Sequence, residues 1–298
     1  MKLSICIVSW NVAELLEKCL VSIKKHPPKC AFEIIVVDNA SKDMSPDVVG
    51  LFPEAKLIQN TKNLGFSAAN NQAIKESCGE YVLFLNPDTE AAPGALDELV
   101  SFLDGQSKAA AVAPKLLNPD KSLQRSCMGF PTLGAMAMRQ LFIEQLWRGN
   151  PYTKKYLMTD LDYDRSSEVD QPMGACLMVR KNVLEQVGTF DERSFMFFDE
   201  VDLCYRIKKA GLKIFFTPEA QVIHHGGSSI KKWGVLNLGR HWSRSRNLYF
   251  KKHHGTAALA ALYFFDLLRA LIFLTVGAAI ITAAKTAIDI HWEAVRPR

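Results

Sequence analysis

Hydrophobic and polar positions follow two alternating periods over the first 115 residues. Short β-rich runs from Leu3 to Ser9, Glu33 to Val37, Lys56 to Gln59 and Tyr81 to Leu85 are separated by helix-period stretches at about Ala13 to Lys25, near Asp47, and from Ser67 to Ser77. This order predicts an α/β fold: a Rossmann-like, mostly parallel sheet flanked by helices on both faces. The runs Ile34-Ile35-Val36-Val37 and Tyr81-Val82-Leu83-Phe84-Leu85 are apolar at successive positions, as strands buried on both sides must be. Each ends in a polar turn, Asp38-Asn39 and Asn86-Pro87-Asp88. Ligands of open parallel sheets bind beyond the carboxyl ends of the strands, so both turns fall where a ligand site belongs.

Further along, residues 93 to 104 carry helical periodicity and Ala109 to Pro114 reads as a strand. Between about 118 and 170 the periodicity fades into mixed Pro, Gly, aromatic and charged residues, the pattern of a mobile insertion over a site. Order returns at Gly174 to Arg180, in a helix near Asn182 to Val187, in the acidic segment Phe195 to Arg206, and in a strand at Lys213 to Thr217. From Thr256 to Ala284 the chain is nearly all apolar apart from Asp266 and Arg269, and the part free of charge, Ala270 to Ala284, has 15 residues. A spanning helix needs about 20 apolar residues. The pattern therefore predicts an amphipathic or in-plane membrane helix, with a core helix as the soluble alternative. Internal repeats and low-complexity tracts do not occur.

Composition adds a polarity along the chain. With 298 residues, 48% hydrophobic and 22% charged, the protein has the makeup of a globular chain. Residues 1 to 230 hold 25 Lys and Arg against 28 Asp and Glu, whereas residues 231 to 298 hold 11 against 3. The basic end calls for an anionic partner: phosphates of a small ligand, an anionic membrane, or nucleic acid. Seven scattered cysteines without C-x-x-C spacing read as buried free thiols in a reducing compartment. The N-terminus runs straight into a strand without the apolar core of a secretion signal, so a cytoplasmic location is expected.

Candidate chemistry gathers at the strand ends. Ser9-Trp10-Asn11 follows the first strand and Asp38-Asn39-Ala40-Ser41 the second. A carboxylate such as Asp38 can accept from a nucleobase imide or a ribose hydroxyl, or can serve as a helix cap. Asn63-Leu64-Gly65-Phe66-Ser67-Ala68-Ala69-Asn70 opens a helix with small residues, which lets backbone N–H groups approach a phosphate or sugar. Asn86-Pro87-Asp88 places one carboxylate where a divalent cation bridging two phosphates could use it. The densest cluster runs from Phe195 to Arg206, with Asp199, Glu200 and Asp202 packed behind four large apolar residues, where aromatic surroundings and neighbouring charge raise a carboxyl pKa toward general-base duty. His224 lies in the run His224-His225-Gly226-Gly227-Ser228-Ser229 and offers a nitrogen to a metal or diphosphate. The run Arg240 to His254, with Arg244 among its cations, interleaves charge with aromatics and suits phosphate. The apolar stretch that follows it weighs against nucleic acid and for an anionic membrane surface.

Taken together and in order from about residue 3 to 254, these motifs resemble the family-2 inverting glycosyltransferases with the GT-A fold, within them the rhamnosyltransferase-like branch. The resemblance implies a GT-A domain over 1–230, with a nucleotide-binding half (1–115) and an acceptor and catalytic half (116–230), and a basic, apolar membrane-associating region over 231–298. It implies donor contacts from Ser9, Asn11, Asp38, Asn63, Gly65, Phe66, Asn70, Asn86, Asp88 and Arg244, and acceptor contacts from Gly174, Ala175 and Asp202. It implies a divalent cation, Mg2+ or Mn2+, on Asp88 and His224. Asp88 matches the last acid of a D-x-D motif whose first position is here Asn86. The catalytic base falls on Glu200, where Asp is more usual, with Asp199 as the second candidate. The implied reaction moves a sugar from a nucleoside diphosphate to a hydroxyl of a glycan or lipid-linked glycan at the cytoplasmic face of the inner membrane. Rhamnose from a deoxythymidine-diphosphate donor is the first expectation and a UDP-hexose (galactose or glucose) the next; a non-catalytic nucleotide-sugar-binding protein is the rival. Homo-oligomerisation is left open.

Overall fold

A computed structural model describes residues 1–226 and 235–295, with side chains for 1–226 and 237–275. Gly227 to Ser229, the division expected at 230/231, and the side chains of 276–284 lie outside the described residues.

The strands are β1 (Leu3–Ser9), β2 (Phe32–Asp38), β3 (Ala55–Gln59), β4 (Tyr81–Leu85), β5 (Thr89–Ala91), β6 (Ala109–Leu117), β7 (Leu123–Gln124), β8 (Cys127–Met128), β9 (Ser167–Val169), β10 (Gln171–Pro172), β11 (Cys176–Arg180) and β12 (Lys213–His224). The helices are α1 (Ala13–Lys25), α2 (Ser45–Gly50), α3 (Phe66–Glu76), α4 (Ala95–Gly105), α5 (Leu133–Gln140), α6 (Ile143–Leu146), α7 (Pro151–Tyr156), α8 (Lys181–Val187), α9 (Asp199–Lys209) and α10 (Val235–Val295).

The main sheet runs β3-β2-β1-β4-β11-β6-β12-β5. Its first four strands are parallel. β11 enters antiparallel between β4 and β6, and β5 pairs antiparallel with β12, so the sheet is mixed beyond β4. Alternation explains the continuous apolar runs. Ile34, Val36, Leu83 and Leu85 join one apolar cluster, while Ile35, Val37, Val82 and Phe84 join the other, one on each face. Fully burying each such side chain contributes about 1.5–3 kcal/mol. α1 covers one face with Leu16, Cys19, Leu20 and Ile23, the i, i+3, i+4, i+7 stripe of an amphipathic helix, and ends in Lys24 and Lys25 where cations suit the dipole.

Two segments differ from expectation. The aperiodic stretch 118–170 contains β7, β8, β9 and α5 to α7. The strand expected to stop at Thr217 runs on to His224: register shifts between Thr217 and Gln221 absorb Pro218, and pairing resumes with Gln221 opposite Lys115. His224 is therefore the last residue of a strand. Five of the seven free cysteines are buried, whereas Cys78 is exposed and Cys30 half-buried.

The chain divides into two compact units. One comprises 1–130 and 155–249 and holds the sheet. The other comprises 131–154 and 250–298. Within the second, Thr132 caps α5 by accepting from the Ala135 N–H, and Phe142 meets Phe273 of α10 edge-to-face at 5.4 Å. α10 is interrupted at Gly255, whose φ of 83° breaks the helical path. Its stretch within Asn237–Thr275 is long and apolar enough to cross a membrane by length and composition, with a mean hydropathy of 2.0, and is 11% buried.

Candidate active site

The carboxyl ends of β1, β2 and β4 converge on a cleft of about 380 Å³ within the sheet-bearing unit. Its walls are Val8 and Trp10 after β1, Asn39 after β2, Asn63 to Phe66 at the start of α3, and Asn86-Pro87-Asp88 after β4. Met173 to Ala175, the loop 195–197, the first turn of α9 and His224 close it.

Asn39 builds one wall. Its Nδ2 donates to the Gly65 carbonyl (3.0 Å), and its Oδ1 accepts from the Leu64 N–H (3.1 Å). Gly65 is required there: its φ is +87° and a Cβ would stand 2.4 Å from the Phe195 carbonyl oxygen. The Phe66 N–H donates to that same carbonyl at 2.7 Å, which ties the start of α3 to the loop before α9. Phe197 and Phe198 both hold positive φ, 68° and 59°, at a cost of about 1–3 kcal/mol each. The first turns of α10 hold them in place. Phe195 stacks on His241 at 4.7 Å, Ser245 Oγ accepts from Ser194 Oγ (2.9 Å) and donates to the Met196 carbonyl (2.8 Å), and the Phe198 ring meets Trp242 and Tyr249.

The two candidate bases differ in surroundings. Asp199 is buried and accepts from the Ser67 hydroxyl; burial, with Glu200 adding to it, raises its pKa well above the ordinary value. Glu200 is half-buried on the cleft wall. Burial raises its pKa too, opposed by backbone hydrogen bonds from its own segment and Gly174. A Cβ on Gly174 would sit 3.6 Å from the Glu200 carboxyl carbon, so glycine leaves the carboxylate room against the 173–175 segment.

Asp88 and His224 face each other, with Oδ1 and Nε2 3.4 Å apart. The tautomer follows from a neighbour. Gln124 Nε2 donates to Asn118 Oδ1 (3.0 Å) and the His224 carbonyl (3.3 Å), so Gln124 Oε1 is the atom 2.7 Å from His224 Nδ1, and that nitrogen carries the hydrogen. With the hydrogen on Nδ1, a neutral ring would turn its Nε2 lone pair toward the Asp88 carboxylate. Two acceptors so placed fit a cation between them, and a carboxylate plus water and substrate phosphates is an ordinary Mg2+ or Mn2+ set. Among the described residues no cluster of three or more His, Cys, Asp or Glu forms a fuller metal site.

Of the expected residues, Asn63, Gly65, Phe66, Asn86, Asp88, Gly174, Ala175, Asp199, Glu200 and His224 line the cleft. Ser9 and Asp38 are buried at the same strand ends, and Ser9 Oγ and Asp38 Oδ1 have no hydrogen-bond partner among the described residues. Buried orphans of this kind call for a ligand or water. Asp38 Oδ2 accepts from the Ser41 N–H, so the carboxylate is both a turn-former and half available. Asn11, at φ 55°, accepts from the Lys42 N–H, and Asn70 donates to the Phe66 carbonyl. Arg244 is exposed on α10, whereas Arg246 is buried over Trp242. Asp202, expected on the acceptor side, lies off the cleft lining in an ion pair with Arg206 (2.8 Å), whose guanidinium donates to the carbonyls of Val187, Gly188 and Thr189. Asn39 and Gln124 had no assigned role in the sequence, and residues 195–197 only that of apolar surroundings for the carboxyls. Asn39 adjoined a motif, while Gln124 lay where periodicity had faded.

Residues 4–188 match the family model described as glycosyl transferase family 2. The chain is a family-2 glycosyltransferase. This glycosyltransferase is 29% identical over 265 residues to the N-acetylglucosaminyl-diphospho-decaprenol L-rhamnosyltransferase of Mycobacterium tuberculosis, covering 85% of each chain. It is 25% identical to rhamnosyltransferase WbbL of Escherichia coli K12, over 82% of this chain and 94% of that one. In fold the glycosyltransferase is similar to the mannosyltransferase PcManGT of Pyrobaculum calidifontis, solved with GDP-Man and Mn2+, at a TM-score of 0.56 and 19% identity over 97% of this chain and 80% of that one. The family match ends before Glu200 and His224, so the placement of those two side chains in the glycosyltransferase rests on the cleft itself.

Proposed function

We propose that the protein transfers rhamnose, with inversion, from deoxythymidine-diphosphate rhamnose to a sugar hydroxyl of a lipid-diphosphate-linked acceptor at the cytoplasmic side of a membrane. The observation that carries the reading is the cleft that joins the Glu200 carboxylate to the Asp88–His224 pair. The likeness to two rhamnosyltransferases over more than four-fifths of the chain supports the sugar, and one relative's decaprenol-linked substrate supports the acceptor class.

Asp38 and Ser9 supply the buried polar atoms for the nucleoside, and the Asn63 to Phe66 turn shapes its pocket. Asp88 and His224 Nε2 would hold the divalent cation, with Gln124 fixing the ring. When bound, the cation neutralises charge on the departing diphosphate. Glu200 takes the proton from the acceptor hydroxyl, the oxygen attacks the anomeric carbon, and the bond to the diphosphate breaks on the opposite face. Gly174 and Ala175 leave the acceptor room beside that carboxylate. Asp199, its pKa raised by burial, accepts from Ser67 and so ties α3 to the first turn of α9.

The test incubates purified protein, Mn2+ and a polyprenyl-diphosphate N-acetylglucosamine with deoxythymidine-diphosphate rhamnose or a UDP-hexose, and follows nucleotide release and product mass. Rhamnosylated product, lost in Glu200→Gln, is expected. Transfer from a UDP-hexose alone would reassign the donor, and binding without any transfer would make the chain a nucleotide-sugar-binding protein.

A further inference from the structure

The second unit, built from 131–154 and 250–298, carries a disproportionate share of exposed apolar surface. Nine of the fifteen large exposed apolar side chains among the described residues belong to it. Along α10 four of them, Tyr263, Leu267, Leu271 and Leu274, follow the i, i+4, i+8, i+11 spacing of a single helical face, with Phe264 and Phe273 flanking it, and Ala258 and Leu262 are buried. Of the charges that interrupt the apolar stretch, Arg269 stands roughly opposite that face and Asp266, three residues after Tyr263, at its edge.

The 131–154 segment is fastened to this helix. Phe142 packs on Phe273, and the Arg269 guanidinium lies over both rings, 5.8 and 5.5 Å from their centroids. Just beyond Phe142, α6 ends in Leu146, 89% exposed, and Trp147, 53% exposed. Trp147 is five residues from Phe142, within about 18 Å of it even if the chain were fully extended. Arg139, Arg148 and Lys154 are exposed on the same segment, and Lys251 and Lys252 at the start of the helical part. Over the described side chains of the unit, Lys and Arg number six against two acids.

This arrangement decides between lying on a bilayer and crossing it. Phe273 is eighteen residues past the break at Gly255, about 27 Å along a helix. A perpendicular helix entering near Gly255 would carry Phe142 across most of the roughly 30 Å hydrocarbon core, so that Glu144, Arg148 and the short connections around α6 would lie in it or have to cross it, which lipid does not tolerate. A helix in the plane keeps the charged flank and the 131–154 segment at headgroup level. Its Leu267-Leu271-Leu274 face then sinks into the acyl boundary.

We infer that residues 131–154 and the apolar face of α10 form one in-plane docking surface for an anionic lipid bilayer, with Leu146 and Trp147 as a second point of insertion. The inference deepens the membrane-side reading of the proposed function, and its test is independent of donor chemistry. The full-length protein is floated with vesicles of phosphatidylglycerol and phosphatidylethanolamine, or of phosphatidylcholine alone. Leu146→Asp/Trp147→Asp and Leu267→Asp/Leu271→Asp are compared with wild type, and circular dichroism and nucleotide diphosphate binding serve as folding controls. Expected are flotation with the anionic vesicles, weakening in 0.5 M salt (on the order of the screening that shortens the Debye length below about 5 Å), release by alkaline carbonate, and at least a fivefold loss in each folded double variant. In brominated-lipid quenching, Trp147→Phe should remove a quenchable part of the fluorescence. Wild-type flotation of the Leu146/Trp147 variant would remove the 131–154 segment from the surface, carbonate-resistant binding would mean a spanning helix, and equal binding to phosphatidylcholine would dismiss the charge argument; each overturns the inference.

Discussion

At the scale of single residues, two adjacent carboxyls in one helical turn are driven to different tasks by their surroundings. Asp199 is sealed against Ser67 and burial raises its pKa well above normal, whereas Glu200, its own pKa also raised by burial, stands on the cleft wall. Asp199→Asn should therefore keep most turnover, whereas Glu200→Gln should lose about 10²–10⁴-fold in kcat, the usual worth of a general base. Because burial raises the Glu200 pKa, a base at this position loses its ionised form at a higher pH than a free glutamate would. The acid limb of kcat/KM should lie above the ordinary glutamate value and disappear from the residual activity of Glu200→Gln. The linkage to stability has the same sign for both groups: raised folded pKa values favour the protein below the unfolded pKa, and that contribution fades as pH rises through the folded one. Asp199→Asn should accordingly flatten the loss of thermal stability toward alkaline pH. Gln124 acts one step from the chemistry. Gln124→Leu frees the His224 ring to turn, and the Mn2+ concentration for half-maximal turnover should rise about 10–100-fold with little change in kcat at saturating metal.

Among elements, what was legible in the sequence divides along a physical line. Strands β1, β2 and β4 and helices α1 and α3 were read to within a residue or two because each is an unbroken periodic run bounded by a polar turn. The cleft residues beyond those strands followed from the rule that ligands sit at carboxyl ends. β12 was read short because proline ordinarily ends a strand, and only the shift in pairing at Thr217 to Gln221 lets it continue and deliver His224 at its tip. The antiparallel entry of β11 was not legible at all, since direction within a sheet leaves no trace in local periodicity. Asp202 shows a further limit: its i, i+4 spacing to Arg206 was visible, but not that Arg206 clasps three carbonyls at the end of α8. Removing one partner of a buried pair costs about 3–5 kcal/mol, so Asp202→Ala should lower the melting temperature markedly. The KM for acceptor, measured below that temperature, should stay near wild type.

For the whole molecule, the sequence divided its charge unevenly, and the structure shows a use for the basic end beyond attraction to phosphate or lipid. The first turns of α10 belong to the sheet-bearing unit, where His241, Ser245 and Tyr249 grip the 194–198 loop. With the His241 stack and the Ser245 hydrogen bonds removed, in His241→Ala/Ser245→Ala, the strained Phe197-Phe198 backbone loses its support. Donor affinity measured by calorimetry should fall about tenfold, as expected for losing roughly one net hydrogen bond's worth of order, about 1–1.5 kcal/mol. This grip also has a consequence in time. Chains leave the ribosome N-terminus first, at about 5–20 residues per second, so the residues that secure the cleft emerge some fifty positions after the loop they hold. The 194–198 loop is thus among the last parts of the unit to be fastened, and the apolar length of α10 follows directly behind the residues that fasten it.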